Sequence, residues 1–454
     1  MEKMGFRVVQ YSDLERWDVK YFSERIKSQY PLVSLADFIT EHNEKIRPFE
    51  KPEETFKILG VNNSDGIFHA YDALGKEIKQ PYKRVNAGDF AYNPYRINVG
   101  SIGRVPPEHD GAYISPAYVV FSVDSSVILP EVFWFILKSD FFNKTLRAAT
   151  AGSVRMNLTY SLLETLKIPI PPLPVQEKIV AQWEGAQIKS SDLLVQAVRV
   201  YDELEKQVLE MLGLKNNEKI SMPKVMVANW ARLTKWSQRS TWLFGWMPDI
   251  SKGVYPVVNG GECIAEVKHG CSVSPSGKPT NLQVLKLSSV TSGEFRPYEA
   301  KFIADKKVFR ENFELSKGDI LMCRTNGTLA YVGCTVILEK DFPGLIFPDK
   351  LMRIRCKDNV LPKYLEYILS SGIARPQIEA NARTSVGNYA IGNEDVFNVE
   401  LPLPPVSEQN KLIKIVQKAR DESGRAKEEA MILKMKVEKE IEEMILGVRS
   451  VDAC

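Results

Sequence analysis

Pro169-Ile170-Pro171-Pro172-Leu173-Pro174-Val175-Gln176-Glu177 opens a long helical pattern, and the arrangement returns at Pro402-Leu403-Pro404-Pro405-Val406-Ser407-Glu408-Gln409. The copies lie about 233 residues apart in a chain of 454, so an internal repeat has to be settled first. After the first run, apolar or small residues fall at Ile179, Trp183, Ala186, Ser190, Leu193, Ala197, Val200, Leu204, Val208 and Met211. After the second they fall at Leu412, Val416, Ala419, Ser423, Ala426, Ala430, Leu433, Val437, Ile441 and Met444. Steps of four and three keep such a stripe on one side of a helix, where it can seat against a partner. Both stripes step four and four through Leu204 and through Val437, a shared stutter. Two duplicated helices packed on each other are therefore expected, with Ile179, Trp183, Leu193, Leu204, Val208, Leu412, Val416, Leu433, Val437 and Ile441 as pairing residues. Two separate surface helices, each lying on its own domain, are the plainer alternative.

The repeat extends outward from the helices. Gly88-Asp89 is matched by Gly318-Asp319, Val99-Gly100 by Val332-Gly333, Leu129-Pro130 by Leu361-Pro362 and Ser153-Val154 by Ser385-Val386. Short strand candidates such as Ala91-Tyr92 and Ala117 to Val123 alternate with turn signals, and Leu129-Pro130 opens a helix through Leu137. The prolines predict a rigid extended link between each globular part and its helix. Ser407 is the expected N-cap of the second helix, with Glu408 at the positive end of its dipole. A helix of about 38 residues is about 57 Å long, a ruler rather than a core element.

The totals set limits. The chain is too long for one ordinary core, and 44% hydrophobic with 26% charged residues is a globular composition. A net charge of +3 leaves room for a local basic face on phosphates without demanding one. The best apolar run, from Tyr118 to Leu137, is broken by Asp124 and Pro130, so no membrane span is expected; the N-terminus shows no secretion signal. Six cysteines without a Cys-x-x-Cys pair suggest neither a zinc site nor disulfides, and a cytoplasmic location fits.

With the two proline and Glu-Gln motifs and Arg16-Trp17-Asp18 near the N-terminus, the chain resembles the specificity subunit of Type I restriction-modification systems along its whole length. One departure is Val175 where the second copy has Glu408. The resemblance implies an α+β protein of two mixed β-rich target-recognition domains, each followed by a long helix, the helices pairing as an antiparallel coiled coil. The expected division is 1–168 and 216–401 for the recognition domains, 169–215 and 402–448 for links and helices, and 449–454 for a tail. It implies a non-catalytic reader of a bipartite DNA target that docks two adenine methyltransferase subunits and recruits restriction subunits. No catalytic residue, metal or cofactor is expected.

Reading sequence requires Arg or Lys for guanine edges and Asn or Gln for adenine edges, with basic and hydroxyl groups on phosphates. The candidates in the first domain are Lys83, Arg84, Tyr92, Asn93, Tyr95, Arg96, Asn98 and Arg104, with Arg147, Ser153, Arg155 and Asn157 as a second group. In the second domain they are Lys268, Ser274, Lys278, Arg324, Thr325 and Asn326, then Arg383, Thr384, Ser385, Asn388 and Tyr389. Arg96 with Asn98 and Arg324 with Asn326 follow the Gly-Asp turns at similar distances. The plain reading of each is a solvated loop residue, or for a tyrosine a core residue.

Asn93-Pro94-Tyr95 lacks the second proline of the adenine methyltransferase motif Asn-Pro-Pro-Tyr, and no Gly-x-Gly loop precedes it. Walker-type loops are absent. These absences weigh against the alternative of a self-contained methyltransferase or nuclease. A coiled-coil scaffold or adaptor with protein-binding globular ends is the other alternative.

Overall fold

The computed structural model describes residues 26–63, 66–97, 100–149, 157–215, 249–304, 313–385 and 387–449. It divides into two compact units, Met1–Asp192 with Glu429–Cys454, and Leu193–Glu428. The division falls inside both long helices, Leu173–Met211 and Val406–Ile445. A solitary long helix has no core of its own, so each half takes its burial from the globular body beside it.

In the first unit, Ile39–Glu41, Val119–Val123, Phe90–Tyr92 and Ile102–Arg104 form a four-stranded antiparallel sheet in that order. Gly88, at φ +92°, makes the turn into its Phe90 strand, and the buried Asp89 carboxylate closes it by accepting the Asn86 N–H at 2.8 Å. The helix Pro130–Lys138 buries Val132, Phe133, Ile136 and Leu137. Phe133 meets Phe90 edge-on at 5.2 Å, and Phe90 stacks on Phe121 at 5.6 Å. A five-stranded mixed sheet and the pair Leu32–Ser34 with Lys167–Pro169 complete the unit.

The second unit repeats the plan. Ile264–His269, Leu351–Cys356, Ile320–Cys323 and Thr335–Ile337 form the corresponding four-stranded sheet, and Pro362–Ser370 the corresponding helix. Gly318 has φ +88° and Asp319 accepts the Ser316 N–H at 2.9 Å, the same turn built again. Val257–Asn259 pairs with Glu400–Pro402 as Leu32–Ser34 does with Lys167–Pro169. The second unit adds a three-stranded sheet of Thr325–Asn326, Asn388–Ala390 and Arg383–Ser385.

All ten positions of each helical stripe are buried or half-buried. In the first unit Ile179 and Ala186 share a core with Val437, Ile441 and Met444, and Gln182 Nε2 donates to Glu440 Oε2 at 2.7 Å. In the second, Leu204 and Val208 share a core with Leu412, Val416 and Ala419.

The proline runs differ from expectation. Pro169 and Pro402 end ladder strands, and Pro174 sits in the first helical turn, where a missing N–H costs nothing. Only a few residues of each run remain as a link. The second helix begins at Val406, so Ser407 lies within its first turn and not at the N-cap; the Pro405 carbonyl accepts the first helical bonds, from Glu408 and Gln409. The glutamines of the motif are fully buried clamps. Gln176 accepts the Leu129 N–H at 2.7 Å and donates to the Val127 and Pro171 carbonyls. Gln409 accepts the Leu361 N–H at 2.8 Å and donates to Asn359 and Pro404.

Candidate nucleic-acid interface

Three strands gather most of the second unit's candidates. Thr325 and Asn326 pair with Ala390 and Tyr389, while Arg383, Thr384 and Ser385 pair with Ala390, Tyr389 and Asn388. Residues about 60 apart in sequence thus share one small sheet next to the Ile320–Cys323 strand. Arg383, Thr384 and Asn388 are exposed and Tyr389 half-buried. Arg324 adjoins the sheet through its carbonyl, which accepts the Ile391 N–H at 3.1 Å. Its Nη1 donates to the Asp349 carbonyl at 3.3 Å, whereas its buried Nε has no partner. Asn326 spends its side-chain oxygen on the Thr328 N–H at 2.9 Å, and its side chain also hydrogen-bonds the Cys323 thiol.

His269 and Asn393 were not singled out in the sequence, yet their side chains interact with each other close to Arg324. Burial, and then the nearby Arg324 charge, holds the His269 imidazole below its ordinary pKa. Only the folded arrangement brings His269 near Arg324, so no local signal marked it. Ser274 and Lys278 stand exposed on a loop apart from this sheet. The Lys268 ammonium lies 4.5 Å over the Phe313 ring.

In the first unit, the loop after the Phe90–Tyr92 strand exposes Tyr95 and Arg96. The Pro94 carbonyl accepts the Leu158 N–H at 3.0 Å, which brings exposed Asn157 beside this loop. Asn93 is a turn-former, its Oδ1 accepting the Tyr95 N–H at 3.0 Å, an arrangement that has no catalytic requirement. Arg84 is exposed. Asn98 and Arg155 lie outside the described residues.

Three first-unit candidates are turned to structural work. Tyr92 is fully buried and its hydroxyl donates to the Leu158 carbonyl at 3.0 Å, because the strand's alternation aims it into the core. Lys83 is buried with Nζ on the Tyr118 carbonyl at 3.0 Å, and burial lowers its pKa. Arg104 is held by Glu131 at 2.6 Å.

Among the described residues no cluster of His, Cys, Asp and Glu is arranged for a metal ion, and no helix is long and apolar enough to cross a membrane. Burial pushes the Cys263 and Cys323 thiols up to about 11.

Residues 35–182 match the family model for the Type I restriction modification DNA specificity domain. The chain is 27% identical over 402 residues to the Type I restriction enzyme EcoKI specificity subunit of Escherichia coli (strain K12), covering 85% of this chain and 80% of that one. It is 24% identical over 328 residues to the StySPI specificity subunit of Salmonella potsdam, covering 71% and 62%. A solved chain from "Structural basis underlying complex assembly and conformational transition of the type I R-M system" superposes with a TM-score of 0.51 at 18% identity, covering 93% of this chain and 98% of that one, a likeness of fold. Both relatives are specificity subunits of Type I restriction enzymes. The chain resembles the specificity subunits of Type I restriction enzymes along most of its length, and the family-model match places the likeness to their DNA specificity domain in residues 35–182.

Proposed function

We propose that the chain reads a bipartite DNA target, one half per recognition domain, and that its two long helices pair antiparallel to fix the gap between the halves. The observation that carries this reading is the duplicated plan of sheet, helix and glutamine clamp, each copy followed by one helix of 39 or 40 residues. The start of the first helix shares a core with the end of the second, and the end of the first with the start of the second, which supports the antiparallel sense. At 1.5 Å per residue each helix is about 60 Å long, comparable to roughly 17 base pairs. The expected domain boundaries, 1–168, 169–215, 216–401 and 402–448, follow this scheme.

In this reading Arg324, Thr325, Asn326, Arg383, Ser385, Asn388 and Tyr389 serve the second half-site, and Arg84, Tyr95, Arg96 and Asn157 the first. The chain has no chemistry of its own; it docks adenine methyltransferase and restriction subunits in the cytoplasm. Exposed Ile188, Val195, Val198, Met431, Ile432 and Met435 on the helices give such partners apolar surface to cover.

The test is to co-express the chain with its methyltransferase partner and map methylated adenines across a genome. A two-part motif with a fixed non-specific gap is expected. A single unsplit motif, or methyl transfer by the chain alone, overturns the proposal.

A further inference from the structure

The two units differ where duplication makes them comparable, beside Gly100 and its counterpart Gly333, both at φ +81°. Superposing the order of Pro130–Lys138 on Pro362–Ser370 sets Lys138 against Ser370, Asn143 against Arg375, Lys144 against Pro376 and Arg147 against Glu379. In the second unit Arg375 fills the space. Its guanidinium donates to the Val332 and Ala330 carbonyls and pairs with Glu379 at 2.8 Å, and a Cβ on Gly333 would lie 2.9 Å from its Nη1.

In the first unit Asn143 stands where the second has Arg375, and the corresponding space is an open cleft of about 450 Å³. Lys138, Lys144 and Arg147 line it, with Asn63 and Asn143, against Asp140 as the one acidic residue in its wall among the described residues. Lys138 is held at the rim, its Nζ 3.4 Å from the Gly100 carbonyl and 4.7 Å over the Trp134 ring. Lys144 and Arg147 are exposed, and neither has an ion pair among the described residues. Ile97 and Gly100 also line the cleft, so it continues directly from the loop that presents Tyr95 and Arg96.

We propose that this cleft seats the phosphodiester backbone of DNA beside the first half-site, through Lys138, Lys144 and Arg147, and that the second domain has no equivalent seat. The inference rests on the DNA-reading proposal and adds a sequence-independent contact to it. Phosphate contacts fix the register of a reader on the duplex without specifying bases. Continuity with the Tyr95–Arg96 loop favours nucleic acid over an acidic protein as the occupant.

The experiment measures duplex binding by the complex of the full chain with its methyltransferase partner, across a range of salt. Two probes are used, a duplex carrying the mapped motif and a random-sequence duplex. Lys144→Gln and Arg147→Gln are each expected to weaken both probes alike and to lower the slope of log K against log salt by about 1, with the methylated motif unchanged. Arg147→Lys should keep the wild-type slope. An unchanged slope in both glutamine variants overturns the phosphate seat, as does an altered half-site motif. Normal DNA binding with loss of the methyltransferase subunit would instead assign the cleft to a protein and overturn it too. If the unaltered complex binds neither duplex, the DNA-reading proposal itself fails and takes this one with it.

Discussion

The Gln176 carboxamide accepts the Leu129 backbone N–H at 2.7 Å, and Leu129 is the N-cap of the helix that lies on the first recognition sheet. The same bond joins Gln409 to Leu361 at 2.8 Å in the second unit. Each long helix is thereby locked to its own domain by a side chain near its first turn. Replacing Gln176 or Gln409 by alanine leaves a buried N–H and two carbonyls without this partner, which costs about 2 to 3 kcal/mol. Denaturant unfolding of each variant measures it. A loss below a few tenths of a kcal/mol would show that water takes over the clamp.

A second anchor is electrostatic. Arg420 on the second long helix pairs in two bonds, at 2.8 and 3.0 Å, with Glu366, which is 2% exposed. Arg420→Ala strands that carboxylate and is expected to cost about 3 kcal/mol, whereas the double change with Glu366→Gln should recover part of the loss. Burial raises the Glu366 pKa, with Arg420 opposing. A folded pKa above the unfolded one means that this group's contribution is full in acid and declines as pH rises through the folded value. Arg420→Ala should steepen that decline, which unfolding free energies at several pH values will reveal. A variant whose stability stays parallel to wild type across pH contradicts the assignment.

Arg324 and Asn326 sit on or beside the small sheet of the second unit. Replacing either should relax the half-site read by that domain only, by about 1 to 3 kcal/mol of base discrimination. Methylation mapping with the variant chain reads this directly. Equal relaxation of both halves would assign these residues to phosphate or to structure.

Inserting one heptad in register into each long helix lengthens the pair by about 10 Å and should widen the gap by about three base pairs. Both half-sites should stay as they were. A changed half-site identity would be evidence against the helices as a ruler.

Much of this was legible in the chain. The stripes declared themselves because a helix against a partner repeats every three or four residues, and the Gly-Asp turns because positive φ favours glycine. The motif glutamines were visible as letters, but their role was not, since their partners Leu129 and Leu361 lie 47 and 48 residues away. Tyr92 and Lys83 looked like recognition residues because composition cannot tell which face of a strand a side chain takes. Arg383 to Ser385 and Asn388 to Tyr389 were visible as polar stretches, but nothing local paired them with Thr325 and Asn326.

The sequence by itself determined the duplication, the length of the helices and the stripe each buries, because these are periodic and local. Only the tertiary structure decided which polar side chains face outward, which close a clamp, and that Arg375 fills in one unit the space left open in the other. Those outcomes depend on contacts between residues far apart in the chain, and such contacts leave no periodic trace.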